Sequence, residues 1–247
     1  MLKRERHAYI LQQINIHNKV LSSDLSEQLN VSEDTVRRDL QQLDNEGKIS
    51  KVHGGALSKS FQISDNTGVY SVTEKRIIAQ KAAQLIKDGM FIILGGGTTI
   101  RELVKALPEN LSATFITPGI STALALLNHP QIEVIFIGNK LSKTTQMAMD
   151  LEVAEQLKNI NADYCFLGAN SIDAEAGITD LDWETIEIKR AIINSSRKTV
   201  ALAISEKLNS VQHLKVCGMD EIDLLITELP ADSPALKKYK EKGVTIL

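Results

Sequence analysis

Apolar positions change their period near residue 74. Before it, Ile10, Leu11 and Ile14, then Leu25 and Leu29, then Val36, Leu40 and Leu43 recur at helical spacing. They predict three short helices with tight connections. The stretch GKISKVHGGAL (47–57) follows and reads as a small β-hairpin, with Ile49 and Val52 as apolar contacts and Gly54-Gly55 as its bend. Residues 58–73, SKSFQISDNTGVYSVT, are polar and weakly periodic, and read as a linker.

From Glu74 onward helix and strand patterns alternate. Apolar runs recur at 91–94 (FIIL), 114–117 (TFIT), 134–138 (VIFIG), 163–168 (DYCFLG), 199–204 (TVALAI), 223–227 (DLLIT) and 244–247 (VTIL). Continuous apolar strands require burial on both faces, hence a mostly parallel sheet covered by helices. The expected organisation is a small helical unit with a hairpin over 1–57, a linker over 58–73 and an α/β unit over 74–247.

Within the first unit, LSSDLSEQLNVSEDTVRRDLQQL (21–43) carries the sharpest signal. Ser22 or Ser23 is placed to cap a short helix, and Asn30-Val31 to make the turn. Ser32 is a good N-cap for the next helix, whose positive end suits Glu33 and Asp34. Two helices joined by a tight turn and followed by a hairpin describe a winged helix-turn-helix. Val36, Leu40 and Leu43 form the packing face of its second helix. The opposite face presents Asp34, Thr35, Arg38, Gln41 and Gln42, with Arg37 on the flank. Arg38 suits a guanine edge, Gln42 an adenine and Thr35 a thymine methyl. Arg37, Lys48, Lys51, Lys3 and Arg4 suit phosphates, which position a module without reading sequence. His53 stands at the hairpin tip, within reach of a minor groove or backbone. Residues 1–60 hold nine Lys/Arg and eight Asp/Glu, so charge alone does not mark the unit; the order of cap, turn, helix and wing does.

Arg6, Ile10 and Ile14 at four-residue spacing, SEDTVRRDL (32–40) and KVHGGA (51–56) resemble the DNA-binding signature of the DeoR/GlpR family of bacterial transcription regulators. The resemblance implies operator binding, usually by an oligomer and usually as a repressor. It continues more loosely through DGMFIILGGGTTIREL (88–103), ADYCFLGANSID (162–173), GITDLDWETIEIKR (177–190) and ALAISEK (201–207). For this region it implies a Rossmann-like sensor domain, akin to sugar-phosphate isomerases, that binds a phosphorylated sugar or related effector.

The residues themselves point the same way. Ligands of open parallel sheets bind at the carboxyl ends of the strands. Gly96, Gly97, Thr98 and Thr99 follow one strand there, Thr117 follows the next and Gly138 the one after. Backbone amides at such a glycine turn, with a helix beginning after it, favour an anion. Lys207 can neutralise a phosphate, and Lys189 can add a second charge or a hydroxyl contact. The turn lacks the third glycine of a dinucleotide fingerprint and the lysine of a Walker loop, so no NAD or ATP is expected. The sequence departs from the family pattern at Gly95, where an acid is common, at Pro118 and Asn139, where Asn and Gly are common, and at Ile204, where Asp is frequent.

Composition adds limits. The chain has 247 residues, enough for two units with their own cores. Aromatics are 4%, too few for a single-strand stacking platform, and a net charge of -3 excludes a DNA-coating protein. Cys165 and Cys217 read as buried hydrophobes, and five scattered histidines give no metal-ligand spacing. The N-terminus has no apolar leader and no run reaches membrane length, so a cytoplasmic protein, at the nucleoid when on DNA, is expected. No cofactor and no catalytic residue are expected. Two other readings stand beside the gated regulator. One is an isomerase fused to a DNA-binding module, with Asp180, Asp182, Glu184 and Glu187 as its carboxylates. The other is an effector-independent DNA-binding oligomer.

Overall fold

A computed structural model gives two compact units, Met1–Tyr70 and Ser71–Leu247. Residues 1–59, 69–143 and 145–247 are described. Most of the expected linker, 60–68, lies outside them.

The first unit runs α1 (Lys3–His17), β1 (Lys19–Leu21), α2 (Ser22–Leu29), α3 (Glu33–Asn45), β2 (Ile49–Val52) and β3 (Gly55–Ser58). Asn18 and Asn30 end α1 and α2 in the left-handed conformation, at φ 64° and 50°, which asparagine tolerates better than most residues. Ile10, Ile14, Leu25, Val36, Leu40, Leu43 and Ile49 are all but inaccessible and form one core. Each contributes about 1.5–3 kcal/mol by leaving water.

Three local expectations need correction. Neither Ser22 nor Ser23 caps α2; Leu21 is its N-cap, and the Ser22 N–H donates to Gly54 O at 2.8 Å instead. The hairpin gains a third strand, because β1 pairs antiparallel with β3 in the order β1-β3-β2. The bend is His53-Gly54, not Gly54-Gly55. Gly55 lies in β3, where a Cβ would meet Val20 O at 1.9 Å, so β1 can approach only a glycine there.

The second unit begins with α4 (Val72–Ala83), β4 (Phe91–Leu94), α5 (Thr98–Lys105), β5 (Thr114–Thr117), α6 (Ile120–Leu126), β6 (Glu133–Phe136) and α7 (Leu151–Leu157). It continues with β7 (Tyr164–Gly168), β8 (Ser171–Asp173), β9 (Gly177–Asp180), α8 (Trp183–Asn194) and β10 (Thr199–Leu202). It ends with β11 (Leu214–Cys217), β12 (Leu224–Ile226), α9 (Lys237–Glu241) and β13 (Thr245–Ile246). Every apolar run singled out in the sequence becomes a strand of one parallel sheet, ordered β13-β12-β10-β7-β4-β5-β6.

The order places the site. The chain winds outward from β4 through β5 to β6, then returns to β7 on the other side of β4 and winds outward the opposite way. Connections therefore diverge above β4 and β7, and a crevice opens at their carboxyl ends. A second sheet, β11-β9-β8, is antiparallel and was not expected. It carries Asp180 at the end of β9.

Candidate DNA interface and effector site

Ser32 caps α3, its hydroxyl accepting from Thr35 N at 3.3 Å. Val36, Asp39, Leu40 and Leu43 face inward. Opposite them stand Asp34, Arg38 and Gln41 in solvent. Arg38 donates to Asp34 Oδ2 at 2.5 Å and Arg37 to Glu33 Oε2 at 2.9 Å, both one turn apart and both exposed. Such pairs contribute little in water and exchange readily for a base edge or a phosphate.

Between α3 and the wing lies an open cleft of about 800 Å³, lined among others by Ser23, Arg37, Gln41, Lys51 and His53. Lys51 Nζ donates to Gln41 Oε1 at 2.7 Å, tying wing to helix. Gln42 is half-buried and donates to Glu46 at 2.8 Å, outside this cleft. Gln41 is thus the glutamine facing the cleft. Thr35 is half-buried, its hydroxyl 3.0 Å from that of Ser32.

One residue missed in the sequence fixes this geometry. Asp39 is buried on α3 and accepts from Arg6 Nε at 2.5 Å and Arg6 Nη2 at 3.1 Å, with His7 Nε2 at 3.0 Å. The pair clamps α1 to α3. Its signal was an acid standing among Val36, Leu40 and Leu43 on the packing face.

In the second unit, Gly95 to Thr99 leave β4 and start α5. Gly97 takes φ 106°, a region nearly closed to side chains, and no side chain caps the first turn of α5. Its amide groups therefore remain available to an anion. Gly96 O lies 3.7 Å from the position of a Cβ on Gly168, at the end of β7. Next to Gly168, Ala169 O accepts from Lys207 Nζ at 3.0 Å. Lys189, on α8, donates to Asp180 Oδ2 at 2.7 Å, and Asn170 Nδ2 donates to the same oxygen at 3.0 Å.

Two cations missed in the sequence join them. Lys75 on α4 is buried, and Arg101 on α5 is half-buried beside it. Burial first, and then the charges of Lys75 and Lys189, push the Lys207 amine down to about 7. Burial, then Arg101, push Lys75 down to about 8. Burial also pushes Asp180 up, but Lys189 and the bonds from Leu181 N and Asn170 outweigh it and hold the carboxyl below its usual range. The crevice thus gathers Lys75, Arg101, Lys189 and Lys207, with Asp180 against Lys189. Lys75 was legible in principle, since it shares a helical face with Ile78, Ala79 and Ala82.

Thr98 and Thr99 are buried in the first turn of α5, and Thr117 is buried with its hydroxyl accepting from Gly119 N at 3.0 Å. At Gly138 a Cβ would meet Ala148 and the Phe136 ring, so the close packing there requires a glycine. At the departures from the family pattern, a Cβ on Gly95 would stand 3.0 Å from Leu167 Cδ2, so an acid there would require that side chain to give way. Ile204 and Pro118 are buried, and Asn139 is exposed and donates to Glu152 at 2.8 Å.

Comparison with known proteins decides the family. The DeoR-like helix-turn-helix domain model matches residues 6–67, and the DeoR C terminal sensor domain model matches residues 70–229. The chain belongs to the DeoR family. It is 32% identical to the HTH-type transcriptional regulator GolR of Listeria innocua, over 100% of this chain and 98% of that one. It is also 32% identical to the HTH-type transcriptional repressor GlcR of Bacillus subtilis, over 100% and 96%. To the HTH-type transcriptional regulator GlpR of Haloferax volcanii it is 28% identical, over 100% and 98%.

This DeoR-family chain is a DNA-binding transcription regulator with a sensor domain, and not an enzyme. Asp180 pairs with Lys189, which holds its carboxyl below the usual range against the effect of burial. Asp182 caps α8, accepting from Thr185 N at 2.9 Å, and Glu184 and Glu187 are exposed. The two cysteines are buried, and burial pushes Cys165 up to about 11 and Cys217 to about 12, so both are inert thiols. Among the described residues no helix is long and apolar enough to cross a membrane, and no three His, Cys, Asp or Glu side chains gather as a metal would need.

Proposed function

We propose that the protein is a cytoplasmic repressor of carbohydrate-metabolism genes that binds operator DNA as a homo-oligomer and responds to a phosphorylated sugar or related metabolite. Arg38, Gln41 and Thr35 read base edges, while Arg37, Lys51 and His53 hold phosphates beside them. Ser32 and Asp34 set the start and the charge of the reading helix. In the sensor unit a phosphate rests on the amides of Gly96 to Thr99, neutralised by Lys207 and Lys75. Arg101 faces the same charge, and the Lys189–Asp180 pair meets the sugar hydroxyls.

The observation that carries this reading is the gathering of Lys75, Arg101, Lys189 and Lys207 around the switch point of the sheet, beside an uncapped helix start. A buried ammonium such as that of Lys207, whose hydrogen bond goes to the Ala169 carbonyl, gains from an anion placed beside it. The names of relatives such as the repressor GlcR support the sign of regulation. The test is thermal unfolding of the full-length protein against a panel of aldose and ketose phosphates. A ligand at 100 times its Kd should raise stability by about 2.7 kcal/mol, and the unphosphorylated sugars should leave it unchanged. If sugars and their phosphates act alike, the anion site is wrongly assigned.

A further inference from the structure

We propose that the sensor site takes up its anion together with a proton, on Lys207 or Lys75, so that effector affinity falls as pH rises above neutrality. The inference rests on the anion-site reading above and adds a second input to it.

The argument starts from geometry. Lys207 comes from the turn after β10, and its amine is enclosed, with the carbonyl of Ala169 as its hydrogen-bond acceptor at 3.0 Å. The charges of Lys75 on α4, Lys189 on α8 and Asp180 on β9 act on it. Asp180 is already engaged by Lys189 at 2.7 Å. The charges of Arg101 and Glu102 on α5, Glu74 of its own helix and Glu206 beside Lys207 act in turn on Lys75. Glu102 is shared between Arg76 at 3.3 Å and Lys105 at 2.6 Å. Glu228, near the same turn, accepts from Ser205 N.

Burial first, and neighbouring cations second, weaken an amine's hold on its proton, and both amines are displaced toward neutrality, Lys207 to about 7 and Lys75 to about 8. Near pH 7.5 the empty site therefore stands short of full protonation. A dianion placed between the amines turns their mutual repulsion into attraction and raises both affinities for the proton. Binding then draws a proton from solution. By linkage, affinity is greatest below pH 7 and falls roughly tenfold per pH unit and per proton above it, until the bound-state value is reached.

The ligand's own titration cannot mimic this. A phosphate monoester gains its second charge near pH 6, so its affinity for a cationic site rises with pH and then levels. The predicted fall lies above that range and has the opposite sign.

The experiment is calorimetric titration of the full-length protein at pH 6.5 to 8.5 with sulfate, inorganic phosphate and the aldose and ketose phosphates as probes. Each is run in buffers of different ionisation enthalpy. The expected result is a heat that varies with buffer, showing proton uptake, and an affinity about tenfold lower at pH 8.5 than at pH 7. Arginine stays protonated throughout, so Lys207→Arg or Lys75→Arg should flatten the profile. Thermal unfolding of the sensor unit without anion checks that each variant is folded, and the wild-type heats decide the matter if neither is. Binding with constant affinity and buffer-independent heat overturns the proton coupling and leaves the anion site standing. A pH profile unchanged in both folded variants overturns its assignment to these amines. No binding by any anion overturns the site and the coupling together.

Discussion

Lys189 Nζ stands 2.7 Å from Asp180 Oδ2, with both side chains under a tenth exposed. The pair joins α8 to the end of β9 and puts a negative charge beside the Lys189 and Lys207 amines. Asp180→Asn would leave Lys189 buried without its counter-charge. Breaking a buried pair in this way costs about 3–5 kcal/mol, visible as a lower urea midpoint for the sensor unit. Because the folded-state pKa of Asp180 is depressed, its contribution is present above the unfolded value and fades as pH falls below about 4. Saturating phosphate ester should recover part of the loss in Asp180→Asn, since it supplies an anion to the same cations.

Asp39 plays the matching role under the reading helix. Burial pushes its carboxyl up, but Arg6 and His7 outweigh that and hold it below the usual range. Asp39→Asn should destabilise the DNA-binding unit by about 2–3 kcal/mol, the scale of hydrogen bonds to a charged group. Operator affinity should fall with it, because α3 loses its tie to α1. Thermal unfolding and operator titration of the same variant check both. A normal melting curve with normal affinity would mean that the clamp does not set the helix.

Arg38 and Lys51 should differ in kind. Arg38→Ala is expected to lower affinity for the specific site by about 1–3 kcal/mol and leave scrambled DNA almost unaffected. Lys51→Ala should weaken all sequences alike and reduce the slope of log affinity against log salt by about 1. Titrations at several salt concentrations on both DNAs separate the two. Gln41→Ala should behave as Arg38→Ala does, and Gln42→Ala should be nearly silent.

Gly97 carries φ 106° at the start of α5. Gly97→Ala should cost about 1–3 kcal/mol of stability through backbone strain and turn the amides of the loop away from their anion. The expected phenotype is DNA binding that no longer responds to any phosphate ester. Response at wild-type ligand concentrations would show that the loop does not hold the phosphate.

What the sequence revealed follows from length and periodicity. FIIL, TFIT and TVALAI are continuous apolar runs, and a strand buried on both faces leaves such a run wherever it occurs. KVL (19–21), SID (171–173) and GITD (177–180) are three- or four-residue strands with polar members, too short to show a period. Their pairing is set by the chains around them. Ser32 was legible as a cap because capping is local, whereas Ser22 looked equally suited and was drawn instead to Gly54 across the hairpin. Lys189 and Lys207 were noticed through motifs at strand ends. Lys75 stands on the apolar face of its helix, which marks it for burial but not for a site, and the packing of α4 on α5 brings it beside Arg101.

The most direct measurement is fluorescence anisotropy of the full-length protein on DNA from upstream of its own gene, at fixed salt, with scrambled DNA as control and the sugar-phosphate panel at saturation. The account predicts tighter binding to the genuine site and a change in that affinity with one phosphate ester. For ordinary coupling of about 1–3 kcal/mol the change is about 5- to 150-fold. Lys207→Met and Lys75→Met should bind the DNA normally and lose the response. Specific binding that no ester alters, in a protein whose unfolding no ester shifts, would contradict the gated regulator and leave a DNA-binding oligomer without a sensor.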